Sequence, residues 1–405
     1  MAEGILQEPV TGTVPRPSLA ERDRRHRILR AAMAKAGLDA LILSPNTARW
    51  AQMMADSRYV TAIGGFATEL LTVVPAEGDI TAFVYNRAAW WQKQVDWIAD
   101  VRDGRNDWGK NCVTRLGELG LAKGRVGISG LGALARAPAG TVTHATVQAI
   151  AAAFPALEIV DATPLMQDIR AVKSPEEVAL LERSMAIVEE MIRTLAEHAR
   201  PGVGEKELYG RMTATLLAHD GELPNFLLFA TGPRLVRSSF VPTSRRLERG
   251  DRIVNEIEAK YAGYGAQAVA PMVLGKPEKL HAEMVALSRA CFDAVLAAMK
   301  PGATFGALMD LYTGLVEREG KGRFHSGLPM MHARGLGDDG PSPLRKADLD
   351  RFRTLPLEEG MVFVLKPHVG EAGGKDRASI GDSVVVTATG ARRLGRRPLE
   401  LLALD

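Results

Sequence analysis

The stretch GDRIVNEIEAKYAGYGAQAVAPMVLG, residues 250–275, decides the fold of the second half of this chain. It predicts two strands joined by a tight connection at Ala262-Gly263. Successive side chains of a strand point to opposite faces, so Glu256 and Glu258 share one face with Val254. The other face carries Ile253, Asn255, Ile257 and Ala259. Two carboxylates on one strand face are either solvated or line a site. The function of the protein depends on which of the two applies.

Length and composition are those of a globular protein with two domains. A chain of 405 residues is longer than one ordinary hydrophobic core supports. A hydrophobic share of 46% and a charged share of 24% are typical of soluble globular proteins. The net charge of +3 is small for this length, so it gives no ground for predicting nucleic acid or a membrane as a partner. We therefore expect a small-molecule substrate.

The cysteines and the N-terminus indicate the compartment. Cys112 and Cys291 are far apart in the sequence and have no C-x-x-C spacing. We therefore expect neither a disulfide framework nor a zinc–thiolate site. The expected compartment is the reducing cytoplasm. Residues 1–17 lack a basic segment followed by an apolar core, so we predict no signal peptide there. No apolar run reaches the length that spans a membrane.

The first part of the chain alternates between strand-like and helix-like segments. This alternation predicts an α/β domain, which we assign to residues 1–168. Packing of the core and of interfaces is one explanation for its aromatic residues, and stacking on an aromatic substrate is the other. The tryptophans of this domain are Trp50, Trp90, Trp91, Trp97 and Trp108.

A second helix start marks the domain boundary. In Lys173-Ser-Pro-Glu-Glu177, Ser174 is the helix cap, Pro175 takes the first helical position, and Glu177 completes a capping box. Helical segments then flank strand-like runs, which predicts helices covering an antiparallel sheet over residues 169–405. The fold class is therefore α+β, with an α/β domain in front.

The second domain resembles the pita-bread domain of the prolidase, creatinase and aminopeptidase P family. The resemblance runs from Lys173-Ser-Pro-Glu-Glu177 through Met299-Lys-Pro-Gly302 and Leu357-Glu-Glu-Gly-Met361 to the C-terminus. The first domain is similar to the creatinase-type N-terminal α/β domain of the same family. The resemblance also implies a homodimer, in which the first domain of one subunit borders the cleft of the other.

The chain departs from this family at the metal site. In the family's peptidases, aspartates, glutamates and a histidine hold a pair of metal ions. The resemblance places these ligands on Glu256, Gln267, His332, Lys366 and Gly381. Two further catalytic histidines of the peptidases fall on Ser239 and Asp339. Paired divalent ions need several carboxylates, and a protonated lysine repels them, so we predict neither a bound metal nor another cofactor.

Lys366 instead brings one positive charge to the place of the metal, with Glu256 as its expected partner. This pair is either a structural salt bridge or part of an active site. If the family's register holds, a set of acid–base residues converges on one cleft. The predicted catalytic residues are Glu256, His332, Lys366, Tyr264 and His368. The predicted substrate-binding residues are Gln267, Ser239, Arg334, Arg237 and Asp382.

A site rich in proton donors and acceptors, with an activatable amine, suits cleavage without water. We predict a metal-independent lyase of small-molecule catabolism, acting by β-elimination or by a retro-aldol step that releases an aldehyde. A metal-free C–N hydrolase, similar to creatinase or ectoine hydrolase, is the second hypothesis, and a metallopeptidase is not expected. A catalytically inert binding protein on the same fold is the third.

Overall fold

The computed structural model describes residues 12–45, 54–65, 68–224, 227–234, 241–344, 346–374 and 376–405. Two compact units make up the chain, one ending at Ile169 and the other beginning at Arg170. Within the described ranges, every helix is too short or too polar to cross a membrane.

The first unit alternates helices and strands. Its elements in chain order are α1 (Leu19–Lys35), β1 (Ala40–Leu43), α2 (Ala55–Thr61), β2 (Leu70–Pro75), β3 (Thr81–Val84), α3 (Ala88–Gln94), β4 (Asp100–Asp103), α4 (Trp108–Glu118), β5 (Lys123–Ser129), α5 (His144–Ala153), β6 (Ala156–Asp161) and α6 (Thr163–Ala171). The strands form one sheet in the order β4-β3-β2-β1-β5-β6, in which β1, β5 and β6 run parallel. The predicted α/β architecture is confirmed.

Three of the tryptophans are interior residues of this unit. Trp108 belongs to the cluster that α4 and α5 form against the sheet. Trp91 and Trp97 are buried as well, and the Trp97 indole nitrogen donates to the Pro17 carbonyl over 3.2 Å. The Arg25 guanidinium lies 5.3 Å from the centre of the Trp97 ring. These aromatic side chains make packing contacts within the unit.

The second unit consists of helices and mainly antiparallel strands. Its elements are α7 (Pro175–His198), α8 (Glu205–Ala218), β7 (Leu228–Gly232), β8 (Arg252–Tyr261), β9 (Tyr264–Ala268), β10 (Met272–Leu274), α9 (Lys279–Ala298), α10 (Phe305–Gly320), β11 (Phe324–Gly327), β12 (Met331–Ala333), α11 (Lys346–Phe352), β13 (Val362–Leu365), β14 (His368–Glu371), β15 (Arg377–Ser379), β16 (Asp382–Val386), β17 (Ala391–Arg393) and β18 (Leu402–Leu404). Helices α9 and α10 pack on β13 and β16 through Phe292, Tyr312 and Phe363. The predicted helix-covered sheet is confirmed.

The strands of this unit form three groups. β8 is the centre of the first group, β18-β10-β8-β7, and it also pairs with β9. The other two groups are β11-β14-β15 and β12-β13-β16-β17. An isolated bridge between Val269 and Gly381 joins the end of β9 to the start of β16, with backbone hydrogen bonds of 3.0 and 3.1 Å. This bridge brings the β8–β9 hairpin next to Lys366.

The hairpin that the sequence predicts is present. Ala262 and Gly263 connect β8 to β9 with positive φ angles of 48° and 85°, which suit a two-residue turn between twisted antiparallel strands. Asn255 fixes the open end, because its side chain donates to the Ala270 carbonyl over 2.6 Å and accepts from the Ala270 amide over 3.0 Å. Glu258 is fully buried, so the carboxylate face of β8 is not a solvated face.

Candidate active site

Glu256, Lys366 and Gln267 form one hydrogen-bonded cluster. Lys366 Nζ donates to Glu256 Oε2 over 2.5 Å, and Gln267 Nε2 donates to the same oxygen over 2.7 Å. Strand β8 supplies the glutamate, β9 supplies the glutamine, and the lysine follows the end of β13. The predicted pairing of Lys366 with Glu256 is therefore confirmed.

The accessible part of this cluster is a carboxylate. Burial raises the pKa of Glu256, but attraction to Lys366 and the hydrogen bonds from Lys366 and Gln267 outweigh it, so the pKa lies below the ordinary value of 4.5. Both hydrogen bonds end on Oε2, and within the described residues no donor reaches Oε1. The Glu256 side chain keeps 14% of its surface exposed, against 4% for Lys366. Glu256 is thus ionised at neutral pH, with one oxygen available.

A cavity adjoins the cluster. Residues of β8, α9, β14 and β15 line it, among them Glu256, His281, His368 and Arg377. It has about 30 Å³ of room for the centres of water molecules, which is enough for about two waters. A carboxylate beside a space of this size can hold and activate a water molecule.

Both histidines of the cavity are neutral near neutral pH. Burial, together with the charges of Lys366 and Arg377, lowers the pKa of His368 to about 3. Burial and the neighbouring Arg252 lower the pKa of His281 to about 4. Neither Nδ1 atom has a hydrogen-bond partner among the described residues. These imidazoles can therefore act as uncharged hydrogen-bonding groups.

His281 and Arg252 are site residues that sequence reasoning missed. Arg252 donates to Asp376 over 2.5 Å and to Glu278 over 2.8 Å, beside the first turn of α9. None of these residues belongs to a motif, and a histidine near a helix start has no distinguishing pattern. Only the pairing of β8 with β10 and the packing of α9 bring them to the cavity.

His332 lies on β12, which pairs with β13, the strand that ends just before Lys366. It is fully buried, its Nδ1 lies 3.3 Å from the Ala333 carbonyl oxygen, and the same atom lies 3.8 Å from Asp338 Oδ1. It is not one of the residues that line the cavity beside Glu256. Its role as a catalytic residue stays a prediction.

Arg334, a predicted substrate-binding residue, lies inside the second unit. The Arg334 side chain is fully buried and donates to Glu258 and, over 3.4 Å, to Asp338. Burial lowers its pKa, but the attraction of Glu258 and Asp338 outweighs this and raises the pKa overall. A guanidinium held by two buried carboxylates stabilises the interior and is not presented to a substrate.

Asp382 and Tyr264 are also held by other parts of the protein. Arg393 donates to Asp382 Oδ2 from Nη2 over 2.6 Å and from Nε over 2.8 Å. The Tyr264 hydroxyl donates to Glu177 over 2.8 Å, and Glu177 also forms the capping box of α7 with Ser174. Asp382 and Tyr264 thus have contacts within the protein, and the roles predicted for them in binding and catalysis stay predictions. The predicted binding residues Arg237 and Ser239 lie outside the described residues.

The donors at the family's metal positions do not fit a pair of metal ions. Lys366 places an ammonium against Glu256, the amide nitrogen of Gln267 faces the same carboxylate, and Gly381 offers no side chain. In the part of the chain that the structure describes, no group of three or more His, Cys, Asp and Glu side chains is placed to hold a metal ion. Divalent ions need several carboxylates, which this arrangement lacks.

Gly381 closes one of these positions sterically. A Cβ atom on this residue would lie 2.6 Å from the Cβ of Lys366 and 2.7 Å from the carbonyl oxygen of Leu365. These distances are shorter than any normal contact, and the second obstacle is backbone. No side chain fits at this position unless the neighbouring strands move apart.

Gly381→Ala is expected to lower the free energy of unfolding by about 1–3 kcal/mol, as overpacking of a tight interior does. Gly314→Ala is the matched control, because Gly314 lies inside α10 with open space around its Cβ position. Alanine there should raise the free energy by about 0.5–1 kcal/mol through helix propensity. Urea unfolding curves of both variants measure the difference. Equal effects of the two substitutions would contradict the steric closure at Gly381.

Proteins with similar sequences include a dipeptidase and a cyclase. The Xaa-Pro dipeptidase of Pyrococcus furiosus is 25% identical over 266 residues, which cover 65% of this chain and 74% of the relative. The agropine synthesis cyclase of Rhizobium rhizogenes is 28% identical over 267 residues, which cover 61% of this chain and 64% of the relative.

Solved structures support the fold. The X-Pro aminopeptidase of Thermotoga maritima superposes with a TM-score of 0.77 at 21% identity, covering 94% of this chain and 99% of the other. The prolidase of Pyrococcus horikoshii superposes with a TM-score of 0.74 at 19% identity, covering 94% and 100%. At these identities the likeness shows a shared pita-bread fold.

The prediction of a lyase is wrong. Several relatives are named Xaa-Pro dipeptidases, and dipeptidases are hydrolases. Hydrolase, the second hypothesis, therefore takes first place. The prediction that a metallopeptidase is not expected is also wrong. The family's members are expected to be metallopeptidases.

Each half of the chain matches the model of a known protein family. Residues 25–172 match the Creatinase/Prolidase N-terminal domain. Residues 179–388, more than half of the chain, match Metallopeptidase family M24. The chain therefore belongs to metallopeptidase family M24, in its prolidase- and creatinase-like branch with a creatinase-type N-terminal domain.

Proposed function

We propose that this protein is a hydrolase that cleaves a C–N bond of a small substrate without a bound metal ion. The observation that carries the proposal is the Glu256 cluster. Lys366 and Gln267 fix one oxygen of the carboxylate, and the other oxygen is available beside a cavity that has room for water.

Glu256 acts as the general base in this proposal. It is ionised at neutral pH because Lys366 and Gln267 stabilise its charged form. It takes a proton from a water molecule as the water oxygen attacks the carbon of the C–N bond. The C–N bond then breaks, and the proton on Glu256 passes to the leaving nitrogen. Lys366 holds the carboxylate in place through the hydrogen bond from its Nζ to Oε2.

The names of the relatives support hydrolysis but leave the substrate open. Xaa-Pro dipeptidases act on the C–N bond of a dipeptide. The relative named agropine synthesis cyclase indicates that chains with this kind of sequence also serve small metabolites other than dipeptides.

Glu256→Gln is expected to lower the rate of hydrolysis by about 10²–10⁴-fold, because the amide cannot accept a proton from water. The assay screens Xaa-Pro dipeptides, N-acyl amino acids and small cyclic amidines for release of an amine, in water labelled with ¹⁸O. One labelled oxygen should enter the product, and dialysis against a chelator should leave the rate unchanged.

Glu248→Gln is the matched control, since the Glu248 side chain is 78% exposed. It should hydrolyse the substrate at the wild-type rate. An unchanged rate in Glu256→Gln would contradict the assignment of the base. A rate that the chelator abolishes and Mn²⁺ restores would contradict the metal-free reaction. A folded protein that turns over no C–N substrate would favour a binding protein.

A further inference from the structure

We propose that His281 contacts the substrate in the cavity beside Glu256, and that the group it contacts is uncharged with both hydrogen-bond donors and acceptors, as a carboxamide is. The identity of this ligand as a substrate rests on the proposed hydrolase function. The contact itself rests on the geometry of the cavity.

His281 is placed to reach the same ligand as Glu256. It lies in the first turn of α9, only 4% of its surface is exposed, and it lines the cavity together with Glu256 and His368. The cavity is small, so any group that enters it lies near all three side chains. α9 thus supplies one wall of the candidate site, and β8 and β14 supply others.

Three buried polar atoms around this site have no partner among the described residues. They are Nδ1 of His281, Nδ1 of His368 and Oε1 of Gln267, whose amide nitrogen is bonded to Glu256. Buried polar atoms of folded proteins are nearly always hydrogen-bonded. The concentration of such atoms here indicates a ligand that both donates and accepts hydrogen bonds.

The charges around the cavity favour an uncharged group. A carboxylate would face the like charge of Glu256, which lines the cavity. An ammonium would face Arg252 and Lys366, whose charges are already matched by Asp376, Glu278 and Glu256. Arg377 also lines the cavity, and its side chain is not left without a partner. Burying an additional charge among closed pairs is unfavourable.

The neutral state of both histidines agrees with this assignment. Lys366 and Arg377 beside His368, and Arg252 beside His281, disfavour a further positive charge on either ring. A neutral imidazole has one donor nitrogen and one acceptor nitrogen. A carboxamide offers the complementary pair, an N–H donor and a carbonyl acceptor.

The test titrates the protein, labelled with ¹⁵N in its histidines, with acetamide and separately with acetate. Acetamide should shift the ring nitrogen signals of His281 and His368 along one saturating curve, and acetate should not. The His198 signal is the internal control, because His198 lies on α7 and bonds to the Thr194 carbonyl over 2.9 Å. Saturating shifts with acetate at similar concentration would overturn the assignment of an uncharged ligand. The absence of shifts with either probe would overturn the site.

Two variants test whether His281 itself is the contact. His281→Asn keeps a polar group near the place of Nδ1 and should retain acetamide binding, read from the His368 signal. His281→Phe keeps the ring volume without polarity and should weaken binding about tenfold, the effect of losing one hydrogen bond. Thermal unfolding checks that both are folded. Unchanged binding in a folded His281→Phe protein would refute the contact. Binding is read without turnover, so the result is independent of the proposed hydrolysis.

Discussion

Lys366→Met is expected to lower the free energy of unfolding by about 3–5 kcal/mol, because the substitution leaves the Glu256 carboxylate largely buried without its cation. Guanidinium unfolding at neutral pH measures the loss. Lys279→Met is the matched control, since Lys279 is 92% exposed and lies 4.0 Å from Glu283. Its effect should stay within about 0.5 kcal/mol. A loss below about 1 kcal/mol in Lys366→Met would show that Glu256 does not depend on the lysine.

The same variant should change the pH dependence of stability. In the wild-type protein the pKa of Glu256 is lowered, so the contribution of this residue to stability is present above pH 4.5 and is lost as the pH falls. Without Lys366, burial raises the pKa, and Glu256 then destabilises the fold as the pH rises above 4.5. The stability difference between the two proteins should therefore grow from acidic toward neutral pH. A constant difference would contradict an electrostatic origin.

Arg334→Leu is expected to lower the free energy of unfolding by a similar amount, about 3–5 kcal/mol. Arg334 is the buried partner of Glu258 and Asp338, and leucine would remove the guanidinium that both buried carboxylates contact. Denaturant unfolding measures the effect. Arg353→Leu is the control, because Arg353 and its partner Asp310 form an exposed pair, and such pairs contribute about 0–1 kcal/mol.

A double variant separates the pair from the packing around it. Adding Glu258→Leu to Arg334→Leu removes one of the two carboxylates that contacted the guanidinium and should recover part of the lost stability. Replacement of a buried ion pair by apolar side chains is often close to neutral. If the double variant is less stable than Arg334→Leu alone, Glu258 stabilises the fold through contacts other than Arg334.

The features that the sequence predicted well are of two kinds. Some depend only on neighbouring residues, and one follows from the alignment of this chain with the strands of the family. The capping box of Ser174 and Glu177, the turn at Ala262-Gly263 and the helices of the second unit need only neighbouring residues. The pairing of Lys366 with Glu256 spans 110 residues, yet it followed from the family's spacing alone. A motif that fixes strand register therefore predicts contacts that local patterns cannot.

The residues predicted less well have partners that no local pattern reveals. Arg334 was predicted to bind substrate, but its buried side chain donates to Glu258, 76 residues away. Asp382 accepts a hydrogen bond from Arg393 across the β16–β17 hairpin, and Tyr264 donates one to Glu177 at the start of α7. Each side chain has the chemistry of a site residue, but a different long-range contact decides its role.

The reaction class was wrong for a different reason. Lys366 was given weight as an activatable amine, which favours a lyase, but its ammonium is hydrogen-bonded to Glu256. The relatives named as dipeptidases are hydrolases, and they overturn this weighting. His281, which sequence reasoning did not consider, lines the same cavity as Glu256.

Gly381 makes the departure from the peptidase site difficult to reverse by evolution. An acidic residue at position 267 or 366 could arise by substitution within the present backbone. At position 381 any side chain would collide with Leu365 and Lys366. Descendants of this protein would have to reshape two strands before a glutamate there conferred any advantage. Substitutions within the present backbone can therefore alter the Glu256 cluster far more readily than they can build a metal site of the peptidase kind.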